Sequence, residues 1–181
     1  MTELKRNIDS LITDLADDDI RIRHEAVRRL AESGADAVVP LVHAMQDHDD
    51  NDFRWYAATA LAKIGEPSVG PLISAMEQDR SRGFRKYAAA ALGGIGEPAV
   101  RPLIKKFSSE DPELRGFAAE ALCRIGTPAI GPLKELVHSD DELLSRCASL
   151  SLWKMDEPGV RALVDVSRDA PEGSSTPPGS S

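Results

Sequence analysis

The strongest constraint on the fold is a motif that recurs at intervals of about 30 residues along the chain. Four stretches share the pattern R-x-x-A-x-x-x-L-x-x-x-G, namely RHEAVRRLAESG, RWYAATALAKIG, RKYAAAALGGIG and RGFAAEALCRIG. They begin at Arg23, Arg54, Arg85 and Arg115. A divergent fifth copy begins at Ser145, which replaces the arginine. A chain with this self-similarity is expected to build one structural unit several times.

A second motif follows each copy of the first, usually contains a proline, and also occurs alone near the N-terminus. Its six copies are marked by leucines that lie 30 or 31 residues apart: Leu11, Leu41, Leu72, Leu103, Leu133 and Leu163. Both motifs have the apolar spacing of an amphipathic helix, as Phe53, Ala57 and Leu61 show in the second repeat. The glycine that ends the first motif suits a helix C-terminus, and the prolines after it suit the start of another helix. Each repeat is therefore predicted to be a pair of helices.

A single pair of helices cannot bury its apolar face, whereas stacked copies can. The sequence therefore predicts an all-α, right-handed α-solenoid of about 11 helices in five and a half two-helix repeats. Residues 1–168 are expected to form this solenoid. Residues 169–181 are rich in Pro, Gly and Ser and are expected to form a disordered tail. The repeated arginines are expected to join neighbouring repeats through acidic side chains or carbonyl groups at helix ends.

The two motifs together resemble HEAT-like repeats of the phycobilisome-lyase type. That pattern, roughly D-x-x-x-R-x-x-A-x-x-x-L-x-x-x-G-x-x-A-V-x-P-L, covers about residues 4–167 of this chain. The resemblance implies that the second helices line a concave face. It does not specify an activity, because this repeat occurs in chromophore lyases, hydroxylases, scaffolds and adaptors.

His24 and Glu25 form the pair of residues that could indicate an iron site. Deoxyhypusine hydroxylases, which share this repeat, hold two irons through several His-Glu pairs placed just after the repeat arginine. In this chain the corresponding positions of the later repeats hold Trp55 and Tyr56, then other residues without a further His-Glu pair. A stable metal site needs three or more converging ligands. We therefore expect His24 to be a surface residue and the protein to lack a metal site.

Composition and motifs exclude several other classes. The net charge of −8 argues against a dedicated nucleic-acid binder. No apolar run is long enough to span a membrane, and no signal-peptide core is present, so a cytoplasmic location is expected. His43 and His48 adjoin the acidic run DHDDND, which could bind a divalent ion loosely or simply supply N-cap carboxylates. No catalytic motif nominates a nucleophile or a base, so we predict no catalytic residue and no cofactor.

The outward positions of the second helices are the predicted binding surface. These positions run from acidic through small (Gly70, Ser74, Ala75) and basic to mixed along the array. Small residues leave room for an incoming element, and a cationic patch on an acidic protein suggests an acidic partner. A merely solvated face would also show charges, so both interpretations stay open. The candidate binding residues are Arg101, Lys105, Lys106, Ser74, His43 and Glu135.

Two tryptophans are also singled out. Trp55 lies on the outer arc of its helix, either as an interface anchor or packed on a neighbouring loop. Trp153 stands where the earlier repeats have Ala31, Ala62, Gly93 and Cys123. Because the last repeat has no successor in this chain, we expect Trp153 to cover the end of the core as a cap.

The function predicted from the sequence is that of a non-catalytic protein-binding or scaffold module. The expected partner is a protein with an acidic or mixed-charge segment, bound by a monomer on its concave face. The alternative is a subunit of an enzyme, such as a component similar to a chromophore lyase.

Overall fold

The computed structural model describes residues 3–169, and in that part of the chain every regular element is helical. Eleven α-helices are present there. Their bounds are α1 Glu3–Asp14, α2 Ile20–Glu32, α3 Val38–Asp47, α4 Asn51–Ile64, α5 Val69–Gln78, α6 Arg82–Ile95, α7 Val100–Ile104, α8 Pro112–Ile125, α9 Thr127–Val137, α10 Glu142–Trp153 and α11 Asp156–Asp169. Short 3-10 segments span Gly34–Ala37, Glu66–Ser68, Glu97–Ala99 and Lys105–Ser108. The predicted tail lies outside the described residues, except for Asp169, which ends α11.

The helices form two layers, as the repeat requires. The first helices of successive repeats, α2, α4, α6, α8 and α10, pack in order, and so do the second helices α1, α3, α5, α7, α9 and α11. Leu30, Leu61 and Leu92 of the first layer and Leu41 and Leu72 of the second are completely buried between the layers. Each repeat thus buries its apolar face against its neighbours. The predicted α-solenoid is confirmed.

Acidic and hydroxyl side chains fix where the first helices begin. Asp50 accepts a hydrogen bond from the backbone N–H of Phe53 at 2.7 Å, and Ser81 caps α6 in the same way. Asp111 and Asp141 each accept two backbone N–H groups of the first turns of α8 and α10. The acidic run around Asp50 therefore serves as a cap, which was one of its two interpretations.

Glycines with positive φ end most of the first helices. Gly65, Gly96 and Gly126 have φ of 84°, 87° and 73°, a region that side-chain-bearing residues seldom enter. In the divergent last repeat Asp156 occupies the corresponding position with φ of 58°. Since aspartate tolerates this conformation better than most residues, the turn persists there at some cost in backbone strain.

The repeated arginines each bond to groups outside their own helix. Nε of Arg54 donates to the carbonyl of Met45 at 3.1 Å, and its Nη2 donates to Asp49 at 3.0 Å. Nε of Arg85 donates to the carbonyl of Met76 at 2.9 Å, and its Nη2 lies 2.8 Å from a carboxylate oxygen of Asp111.

The two outer members of the arginine column make similar bonds. Arg23 reaches Asp52 of α4 at 3.7 Å, and Arg115 donates to the carbonyl of Ser109 at 2.7 Å. In the last repeat the Ser145 hydroxyl donates to the carbonyl of Val137 at 2.6 Å, so the bond to the preceding helix end survives without the arginine. The predicted role of this column is confirmed.

The prediction that Trp153 covers the end of the core is wrong. Its earlier counterparts are small because the next helix passes close by: a Cβ on Gly93 would lie 2.7 Å from the Cβ of Arg124. Trp153 itself is 64% exposed. The core of the last repeat is closed by Leu152 and by Ala162 and Val166 of α11 instead, which leaves nothing for Trp153 to cover.

Candidate protein-binding surface

Two grooves run between neighbouring second helices at the N-terminal half of the array. The groove between α3 and α5 measures about 200 Å³ and is lined by Val39, His43, Ser74 and Gln78 among others. The groove between α1 and α3 measures about 550 Å³, and Asp9 lies on its far wall. Val39 and His43 contribute to both grooves. The structure therefore brings the predicted residues His43 and Ser74 together on one surface, which we call the second-helix face.

An exposed valine marks the centre of this surface. Val39 is 52% exposed although it follows the buried Val38. Covering its remaining surface would contribute about 1 kcal/mol, by the usual value for buried apolar area. Beside it, the amide of Gln78 donates to the hydroxyl of Ser74 at 3.2 Å, so both polar groups lie at the groove rim. The groove thus combines apolar contact with hydrogen-bonding groups.

One predicted column of the second-helix face does not point outward. Ala75 is buried, and Asp14, Ala44 and Leu136, which hold the same position in other repeats, are half-buried. This position follows the proline by four residues and turns toward the adjacent second helix, so packing between repeats covers it. Gly70 and Ser74 remain exposed, so the small central part of the face is narrower than predicted.

The basic part of the face also differs from the prediction. Helix α7 has only five residues, and the chain continues as the 3-10 segment Lys105–Ser108. Arg101 and Lys105 are exposed, whereas Lys106 is half-buried and its Nζ lies 2.6 Å from a carboxylate oxygen of Glu77 on α5. The ion pair neutralises Lys106 from within the protein. The patch that a partner meets is therefore Arg101 with Lys105.

The remaining predicted residues are separate from this patch. Glu135 is exposed on α9, beside Lys134, whose Nζ lies 4.0 Å from Asp165 of α11. Trp55 is exposed on the first-helix layer, where its ring meets the edge of Tyr56 at 4.8 Å between centroids. It is thus available as an anchor, but on the layer opposite the second-helix face.

His24 is exposed, as predicted, and its ring lies edge-on to Tyr56 with 5.6 Å between centroids. Its neighbour Glu25 pairs with Arg28, one turn along the same helix. Within residues 3–169, no group of three or more His, Cys, Asp or Glu side chains is arranged to hold a metal ion.

The two cysteine thiols are poorly suited to nucleophilic chemistry. Burial raises the pKa of Cys123 and of Cys147 above the ordinary range, which disfavours the reactive thiolate. The Sγ of Cys123 also contacts the carbonyl of Ser151 at 3.5 Å. Among the described helices, none is long and apolar enough to cross a membrane.

Sequence reasoning missed a third groove, between α8 and α10 on the first-helix layer. It measures about 300 Å³ and is lined by Leu143 and Leu150. The sequence does contain a signal for it: at the outward positions of Leu143 and Leu150, only the last of the five copies has leucine.

These features define the class of the protein: an α-solenoid of two-helix repeats that are joined by a column of arginines. Each groove described above lies between neighbouring helices of the same layer. The family profile for HEAT repeats matches residues 8–72, 69–152 and 100–173. The chain therefore belongs to the HEAT repeat family.

Solved structures of engineered and designed proteins are similar to this chain. A crystal structure of an engineered protein shares 23% identity, covering 90% of this chain and 85% of the other, with a TM-score of 0.35. A designed armadillo repeat protein shares 20% identity, covering 88% of this chain and 87% of the other, with a TM-score of 0.33. No curated protein matches the sequence.

Proposed function

We propose that the protein is a non-catalytic binding module that holds a mixed-charge segment of another protein on its second-helix face. The observation that supports this proposal is the pair of adjoining grooves around Val39 and His43. These grooves open on the second-helix face, where the charge of the outward side chains changes from negative to positive along the array. Asp9 and Asp47 line the groove at the N-terminal end, and Arg101 with Lys105 follows on α7 and its 3-10 extension. Such a surface favours a segment with a positive end and an acidic end.

The apolar and charged parts of this face have different roles. Each exposed ion pair contributes only about 0–1 kcal/mol, so Arg101 and Lys105 would steer and orient the partner. Val39 and the groove walls would supply more of the affinity, because they exclude water from apolar contacts. In this proposal the protein acts as a monomer in the cytoplasm and recognises the acidic end of that segment through Arg101 and Lys105, while nucleic acid is disfavoured by the net charge of −8.

Two further features belong to the same proposal, and the motif pattern supports both: the repeats are of the phycobilisome-lyase type, and the second-helix face is concave. No contact or groove among residues 3–169 specifically favours the alternative function, that of an enzyme subunit.

The test compares two charge reversals of equal size in partner capture from native extract. The first is Arg101→Glu with Lys105→Glu on the second-helix face; the matched control is Arg82→Glu with Lys86→Glu, whose side chains are exposed on α6. We expect a captured protein to be lost with the first pair and kept with the control. A partner that is retained equally by both variants, and also by Val39→Glu, would show that this face is not the binding surface.

A further inference from the structure

Two outward positions of α10 hold a large apolar side chain only in the last repeat. The first lies two residues before the repeat arginine position and holds Arg21, Asp52, Gly83, Glu113 and finally Leu143. The second lies five residues after it and holds Arg28, Thr59, Ala90, Glu120 and finally Leu150. Leu143 is 36% exposed and Leu150 is 54% exposed. Four other copies fold with charged or small residues there, so the fold does not require these leucines.

The two leucines line one side of a groove between α8 and α10, which we call the α8–α10 groove. On the other side α8 contributes two small residues, Gly116 and Ala119, together with Pro112 and Arg115. The corresponding groove between α6 and α8, about 420 Å³ in volume, is lined by Arg82, Lys86 and Glu120 together with Gly83 and Phe117. Where α8 has Glu120 on this groove, α10 has Leu150, so the corresponding wall is more apolar in the last repeat.

Cations surround the apolar strip. Arg115, Arg146 and Lys154 all line the α8–α10 groove. Arg115 is engaged with the carbonyl of Ser109. Arg146 pairs with Glu142 on its own helix, but unlike Lys106 it is largely exposed, so water weakens the pair and Arg146 can still meet a partner carboxylate. An apolar strip flanked by three cations, on a protein with a net charge of −8, is complementary to an apolar strip flanked by carboxylates.

We propose that the α8–α10 groove docks an amphipathic helix of another protein whose apolar face is flanked by acidic residues. Leu143 and Leu150 are seven residues apart on one face of α10, a separation of about 10.5 Å along the helix axis. A partner helix presents its own apolar side chains at the same interval, so the two strips can pair side by side. Acidic residues beside that strip would then meet Arg146 and Lys154.

A second copy of this chain is the less complementary occupant. A symmetric pairing of two α10 faces would bring Arg146 and Lys154 of one copy toward the same cations of the other. Repulsion between like charges opposes that arrangement. The proposal is independent of the second-helix face, because the α8–α10 groove lies on the opposite layer.

The test uses three synthetic helical peptides of about 15 residues, or about four turns. The first has leucines at heptad spacing flanked by glutamates, the second has lysines in place of those glutamates, and the third is a scrambled version of the first. Fluorescence anisotropy measures binding to the full chain and to the variant L143E/L150E. This variant places at both positions the residue that the preceding repeat has at Glu113 and Glu120, so the helix is expected to fold. The matched control is I20E/I22E, which changes two isoleucines of α2 that are about as exposed as Leu150 and Leu143 and that lie outside both proposed surfaces.

We expect the glutamate-flanked peptide to bind at least about 10-fold more tightly than the other two, which corresponds to about 1.4 kcal/mol. L143E/L150E should lose that preference, and I20E/I22E should retain it. If the double variant melts early, amide resonances of wild-type protein supply the test, with shifts expected in α8 and α10 only. Equal binding of all three peptides, or shifts confined to α3 and α5, would overturn the proposal.

Two further results would also overturn the proposal, because each would indicate a different occupant of the α8–α10 groove. One is leucine-dependent binding to phosphatidylcholine vesicles that contain about one third phosphatidylserine, without binding of the acidic peptide. The other is a dimer in sedimentation equilibrium that disappears in L143E/L150E. Failure of Val39→Glu to affect the natural partner concerns the second-helix face alone and leaves this test unchanged.

Discussion

Replacing glycine with alanine is expected to have opposite effects on stability at two positions of the repeat, Gly83 and Gly116. Gly83 lies against Arg54, and a Cβ at Gly83 would overlap Nη1 of that arginine. The arginine cannot easily move, because the carbonyl of Met45 and the carboxylate of Asp49 hold it. At Gly116, by contrast, a Cβ would meet no atom within 4 Å.

We therefore expect Gly116→Ala to increase the free energy of unfolding by about 0.5–1 kcal/mol, since alanine is the better helix former. Gly83→Ala should decrease it by about 1–3 kcal/mol, the usual cost of overpacking. Urea unfolding of the two single variants measures the difference. Equal stabilisation by both would mean that Arg54 adjusts freely.

Trp153→Ala is expected to change the free energy of unfolding by less than about 1 kcal/mol, because most of the side chain is already in water. A buried tryptophan cap would instead cost about 3–5 kcal/mol on truncation. Leu152→Ala provides the internal comparison, since the adjacent Leu152 is completely buried. Thermal unfolding of both variants, monitored by circular dichroism, measures the two losses of stability. A loss for Trp153→Ala as large as that for Leu152→Ala would show that Trp153 does cap the core.

At the scale of the helix, the ion pair between Arg85 and Asp111 links α6 to the N-terminus of α8. Arg85 is only 1% exposed, and the ion pair with it, together with backbone N–H groups of Leu114 and Glu113, holds the pKa of Asp111 below its usual range. A carboxylate with a depressed pKa stabilises the folded state above the unfolded pKa of about 3.9. That stabilisation disappears as the pH falls through the lower, folded-state pKa.

Asp111→Asn should therefore make stability less dependent on pH below about pH 4, while lowering stability at neutral pH. Asp141→Asn is a closely matched control, because Asp141 caps α10 with the same two backbone bonds at 2.9 and 3.2 Å. The arginine that corresponds to Arg85 is there Arg115, which donates to the carbonyl of Ser109 and makes no ion pair with Asp141 among the described residues. Urea midpoints at several pH values measure both. If the two variants flatten the pH profile equally, the cap alone accounts for the effect and the arginine adds nothing.

Helices and their ends could be predicted because local patterns determine them. Apolar spacing, capping residues such as Asp50 and glycines such as Gly65 act within a few residues of where they stand. The arginine contacts were also predictable, since a charge repeated on a mostly apolar face needs partners. All of these features recur with the repeat, so each copy supports the interpretation of the others.

Features that depend on a neighbouring repeat were predicted less well. Whether Ala75 or Lys106 faces solvent depends on how closely the adjacent second helix approaches, and helical spacing within one helix does not contain that distance. The prediction for Trp153 was wrong for the same reason. The size of this residue can be read from the sequence, but whether α11 already closes the core cannot. The α8–α10 groove was missed because it depends on the shape between two helices as well as on Leu143 and Leu150.

For the molecule as a whole, the two layers offer separate surfaces. The second-helix face has its grooves near α3 and α5, and the α8–α10 groove lies on the first-helix layer near the C-terminal end. A partner on one surface leaves the other uncovered, so the protein could hold two partners at once without competition. Taken together, the two proposals describe a scaffold rather than a receptor for a single ligand.

Stability is expected to decline toward the C-terminal end of the array, because in the last repeat two stabilising features, the repeat arginine and the glycine at the helix end, are replaced. Ser145 makes one hydrogen bond where Arg85 bonds to two helix-end carbonyls and to Asp111. Asp156 keeps a positive φ that costs a non-glycine residue about 1–2 kcal/mol. No repeat follows α11 in the described residues to cover its outer side. In a solenoid, where each repeat is stabilised mainly by its neighbours, such losses remain local.

Hydrogen exchange followed by mass spectrometry should therefore find α10 and α11 exchanging before α4 and α6 under native conditions. Asp156→Gly relieves the backbone strain and should slow exchange in α10 and α11 by up to about 5-fold, the equivalent of about 1 kcal/mol. It should leave α4 unchanged, whereas Gly65→Ala, the reverse change at the corresponding turn, should accelerate exchange in α4 and α5. Uniform protection along the chain, or an Asp156→Gly effect that spreads equally to α4, would instead indicate that the array opens as one cooperative unit.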